Sequence, residues 1–117
     1  DGTYEGIQGD PKTFWKDPES PKSKPQRVTS ATVEATQQLI RNICAEVSSH
    51  GGKVTALVAH RQASANRQND PGSEIWQRIA LPMSAELKLN DGGPNFKIGS
   101  GFPIPEAWDP TRRGIKY

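Results

Sequence analysis

The sequence predicts an α+β fold: one main helix packed on an antiparallel sheet of about four strands, with irregular Pro-rich arms at both ends. Three observations carry that expectation. Apolar residues between Val33 and Val47 recur at helical spacing. Four later stretches, 53–60, 74–81, 83–90 and 95–100, are apolar on one or both faces of a two-residue repeat. Proline gathers at Pro11, Pro18, Pro21 and Pro25 ahead of the helix and at Pro103, Pro105 and Pro110 near the end. The chain therefore divides into an arm over 1–28, a core domain over 29–104 and a tail over 105–117. Its 117 residues, 32% of them hydrophobic, suit one domain with one small core.

The arm reads as extended or irregular backbone. Asp10-Pro11 can cap and start a short turn that presents Phe14 and Trp15. Thr29 or Ser30 caps the main helix. Val33, Thr36 or Gln37, Ile40, Cys44 and Val47 form its buried stripe, and Ile43 widens it. Gly51-Gly52 provides a left-handed exit. The stretch 53–60 is apolar on both faces and reads as a central strand. A polar loop over 61–73 follows and ends in Asp70-Pro71-Gly72.

Ile75, Gln77, Ile79 and Leu81 alternate with Trp76, Arg78 and Ala80, which predicts a strand that Pro82 ends. Met83, Ala85, Leu87 and Leu89 predict a half-buried strand. Asp91-Gly92-Gly93-Pro94 turns it into a return strand bearing Phe96 and Ile98. In the tail, Phe102, Ile104 and Trp108 can pack on the domain, and Asp109-Pro110 can start a helical turn carrying Arg112 and Arg113.

Composition narrows the function. The net charge is +2, from 15 basic and 13 acidic residues, too mild to imply nucleic acid by itself. The single cysteine excludes an internal disulfide, and Cys44, on the apolar side of the helix, is expected to be a buried, inert thiol. No apolar run reaches the ~18 residues of a membrane helix, so no membrane partner is expected. No signal peptide is read, and a start at Asp1 rather than Met is expected of a processed protein or an excised domain.

Cofactors and metals are expected to be absent. His50 and His60 are too far apart for ligands on one helix, and no Cys-x-x-Cys occurs. Neither a Gly-x-Gly-x-x-Gly nor a Gly-Lys-Ser/Thr phosphate loop is present. Gly99-Ser100-Gly101 is followed closely by Pro103, which denies it the helix of a nucleophile elbow.

His60, Arg61, Arg67, Glu74 and Arg78 remain. If the strands on either side of the polar loop pair, these side chains share a cleft. His60 with Glu74 would perform acid–base work, and Arg61 and Arg78 would hold phosphate. Those four are the catalytic candidates. The predicted order, a helix and then antiparallel strands, is similar to that of small microbial ribonucleases and related toxin domains. The resemblance implies metal-independent RNA cleavage, with RNA as a possible partner.

A second reading rests on the aromatics. Trp and Arg are favoured at interface hot spots, and extended Pro-rich ends can add to a partner's groove or sheet edge. Phe14, Trp15, Trp108, Arg112 and Arg113 are its binding candidates. It is the leading expectation: a small interaction or assembly module whose arms engage a protein partner or a second copy.

Overall fold

The computed structural model describes residues 28–68, 70–109, 111 and 113. Among them the chain is helical and contains no strand, which overturns the expected α+β fold with its four-stranded sheet. The order is α1 (Ser30–Ser49), a 3₁₀ turn (His60–Gln62), α2 (Ser73–Ile75), a π-helical turn (Trp76–Ala80), α3 (Leu81–Leu87) and a second 3₁₀ turn (Glu106–Trp108). Residues 1–27 of the expected arm over 1–28 lie outside the described residues, and Val28, its last residue, is buried.

The α1 helix forms where its periodicity places it. Thr29 is extended at φ −73° and ψ 154°, and its side-chain oxygen accepts the Thr32 N–H. At the other end Gly51 takes φ +80°, and the Gly51 and Gly52 N–H groups donate to the carbonyls of Ser48 and Val47. The buried stripe is shorter than the spacing suggests. Val33 alone is buried, while Gln37, Ile40, Cys44 and Val47 are half-buried. Leu39 and Ile43 are 56% and 49% exposed, so Ile43 does not widen the stripe. The Cys44 thiol is correspondingly not fully enclosed.

The expected strand over 74–81 is helix, and so is most of the next one. Ile75, Ile79 and Met83 sit four residues apart, as do Trp76, Ala80 and Ser84. Four is a multiple of two, so both sets also satisfy strand alternation over short windows. Adjacent faces of this helical run bury separately. Trp76 and Ala80 pack with Ala59, Ile104 and Trp108. Ile79 and Met83 pack with Val28 and Val33 of the α1 end. Burying a Trp removes about 150–250 Å², on the order of 5 kcal/mol at about 25 cal/mol per Å². That exceeds the ~1–3 kcal/mol for an indole N–H left without an acceptor, as at Trp76 and Trp108.

Pro82 stands in the first turn of α3 rather than ending a strand. It has no N–H for the Arg78 carbonyl one turn back, and Gln37 Nε2 of α1 donates to that carbonyl at 2.9 Å. Ahead of it the ladder widens, with the Leu81 N–H donating to the Trp76 carbonyl. Lys88 then turns left-handed at φ +54°, the Leu89 N–H closes on the Ser84 carbonyl, and the helix stops.

The hairpin of 83–90 with 95–100 is therefore absent, its first half being largely helix and its second irregular. The expected central strand over 53–60 is extended chain with a single parallel bridge, Ala56 to Asn90. Leu57 N–H donates to Asn90 O and Asn90 N–H to Thr55 O. One bridge is not a sheet; the apolar side chains of this stretch, Leu57 and Ala59, pack on helices instead.

Candidate functional site

The polar centre of the fold is the 3₁₀ turn His60–Gln62. Gln62 is fully buried; its Oε1 accepts the Ala59 N–H at 2.7 Å and its Nε2 donates to Asp91 O at 3.2 Å. Arg61 is also 0% exposed. Its Nε donates to Pro103 O at 2.7 Å, and an η nitrogen donates to Gln68 O. The guanidinium carbon lies 5.3 Å from the Trp108 ring centroid and 5.9 Å from that of Phe102. A cation this deep is tolerated only when dipoles and ring faces replace its water. Segment 98–102 wraps the turn, with Ile98 N–H on Gln62 O and Phe102 N–H on Arg61 O.

Beside this buried base stands His60, its side chain 55% exposed. Its Nδ1 lies 3.1 Å from Asp70 Oδ2. The backbone repeats the connection, since Arg61 N–H donates to Asp70 O at 3.0 Å. Both ends of the 60–70 loop are thus joined twice. An ionised carboxylate only accepts, so the pairing assigns the proton to Nδ1 and leaves Nε2 of a neutral ring as the acceptor.

Glu74 and Arg78 do a different job. Arg78 donates to Glu74 Oε1 at 3.0 Å and to Val28 O at 2.7 Å, while Val28 N–H donates to Glu74 Oε2 at 3.2 Å. The pair locks the residue that leads into α1 onto the helical run. Four apart on a helix, the two side chains meet on one face. The structure thus gives His60 the carboxylate of Asp70 as its partner, where the sequence suggested Glu74. It places Arg61 in the core and Arg78 in a clamp, rather than against phosphate.

Of the binding candidates, Trp108 is 0% exposed, so its ring tethers the tail to the core. Arg113 bridges Asp91 Oδ2 at 2.8 Å and Asp109 Oδ2 at 2.9 Å. Burial alone pushes the Asp109 carboxyl up, but hydrogen bonds from Thr111 and then Arg113 outweigh it and hold it below the usual carboxylate range. Phe14, Trp15 and Arg112 lie outside the described residues.

Asp70 is the residue that sequence reasoning missed. In Asp70-Pro71-Gly72 it reads as turn chemistry, and only its place ten residues beyond a histidine, across a polar loop, hints otherwise. Among the described residues no three His, Cys, Asp or Glu side chains gather as metal ligands, and no helix is long and apolar enough to cross a membrane. No family model, curated protein or solved structure matches the chain.

Proposed function

We propose that the chain carries a hydrolytic site in which His60 is the general base and Asp70 orients it. The observation that supports this reading is the 3.1 Å His60–Asp70 pair, exposed on its outer side and fixed from beneath by the buried Arg61 and Gln62. A reacting group carried on a packed supporting layer is what preorganised chemistry requires. In the step envisaged, Nε2 takes a proton from water as the oxygen attacks the substrate's acyl carbon. The imidazolium returns that proton to the leaving group as the acyl bond breaks, and Asp70 stays ionised throughout. An acyl bond is favoured over a phosphodiester because the two arginines assigned to phosphate are already held by the protein, Arg61 in the core and Arg78 by the Val28 carbonyl and Glu74, which leaves, among the described residues, the single cation of Arg67 near Asp70 for an anion. The ribonuclease resemblance loses its basis with the sheet.

The test is hydrolysis of 4-nitrophenyl acetate by the wild-type chain, His60→Ala and Asp70→Asn, with folding checked by circular dichroism. Removing the base is expected to lower the rate by about 10²-fold or more, and the Asp70 change by at least tenfold. Equal rates in all three folded proteins would end the reading. Activity abolished by a chelator and restored by a divalent ion would also overturn it, making the same imidazole a ligand.

A second reading keeps the interaction module but moves its surface. With Trp108 enclosed, the observation that favours it is the exposed pair Leu39 and Ile43, one turn apart on α1. A protein partner or a second copy would cover that face.

A further inference from the structure

We propose that Arg67 is the specificity-determining residue of the His60–Asp70 site and selects substrates bearing a carboxylate beside the acyl bond. The inference rests on the hydrolytic reading above and adds the substrate's charge. Four other arginines among the described residues are committed. Arg41 pairs with Glu86, Arg61 is enclosed, Arg78 holds Glu74 and Val28, and Arg113 holds Asp91 and Asp109. Arg67 is exposed, and its guanidinium makes no hydrogen bond or ion pair with any described residue.

Its position is not arbitrary. The Arg67 carbonyl accepts the Asp70 N–H at 3.1 Å, and the Arg67 N–H donates to Ser64 O at 3.2 Å. A turn closed in this way keeps the first and fourth Cα atoms within about 7 Å, so the backbone of Arg67 lies close to that of Asp70, from which the Arg67 side chain can reach a substrate at His60. The neighbouring carbonyl, of Gln68, is held by the buried Arg61 guanidinium. The side chain is therefore carried on backbone pinned from inside the fold, one turn from Asp70, and its fork is taken by no described residue. A planar fork of N–H donors suits a carboxylate, which it can hold in bidentate fashion. Asp70 itself is taken by His60 and does not neutralise Arg67.

Two measurements on the full chain test this. The first compares kinetics on 4-acetoxybenzoate and its neutral methyl ester for wild type, Arg67→Ala and Arg67→Lys. Arg67→Ala is expected to raise KM for the anion at least fivefold with kcat unchanged, to leave the methyl ester unaffected, and to be partly rescued in Arg67→Lys. The second follows the His60 imidazole signals by NMR during titration with benzoate. Benzoate should move them in the wild type and not in Arg67→Ala. Equal effects of Arg67→Ala on both esters, or a His60 signal indifferent to benzoate in the wild type, would overturn the proposal. If His60→Ala leaves ester hydrolysis intact while benzoate still moves the wild-type imidazole through Arg67, the catalytic reading fails and the anion site stands.

Discussion

Arg61, Arg113 and Arg67 stand in three different conditions, and sequence alone treats them alike. Arg61 is a core residue, Arg113 an inter-segment strut and Arg67 a cation with no partner among the described residues. Flanking residue type did not distinguish them; enclosure by Phe102 and Trp108 did. The same scale carries a pH prediction. Asp109 sits 2.6 Å from the Thr111 hydroxyl and 2.9 Å from Arg113 Nε, and its folded pKa is lowered. Its contribution to stability is therefore whole above the ordinary aspartate value of about 3.9 and is lost as pH falls through the lower folded value. Thermal unfolding of wild type and Asp109→Asn should show a constant Tm gap at neutral and mildly acid pH that narrows below about pH 4. A gap that widens on acidification would contradict the assignment.

At the scale of elements, α1 was legible and the rest was not. Its length allows five turns of evidence, and Thr29 and Gly51-Gly52 mark both ends. The runs over 74–81 and 83–90 are short enough for periods of two and four to coincide, and Pro82 looked like a strand terminator when it sits in the first turn of α3. What α1 hides less well is its outer face. Since Leu39 and Ile43 bury little against their own chain, changing both to Ser should leave Tm nearly unchanged. If that face binds a second copy, sedimentation should show concentration-dependent mass for the wild type that the double variant loses. A wild-type monomer at every concentration would count against a second copy there.

The whole molecule is held by segments distant in sequence that meet around the His60–Gln62 turn. Gly101 shows how close they come: a Cβ there would stand 2.1 Å from the Gln62 carbonyl oxygen, which is backbone and cannot swing aside. Gly101→Ala should cost about 2 kcal/mol or more, lowering Tm by roughly 10 °C for a domain of this size. It should also slow ester hydrolysis, because the same turn supports His60. A variant with unchanged Tm would mean that the 98–102 segment does not seat as described.

What the chain determined by itself was local. Helical spacing with a cap and a glycine exit fixed α1, whereas Trp108 read equally as an anchor for the tail or a partner contact until its burial decided between them. His60 was also visible, as the one titratable group closing the apolar stretch 53–60. Tertiary structure decided the remainder. Whether an alternating run becomes strand or helix depends on whether partner strands exist to take its N–H and C=O groups, and none does among the described residues. Which carboxylate meets His60 depends on how the 60–70 loop closes, and long-range contacts around Arg61 set that closure.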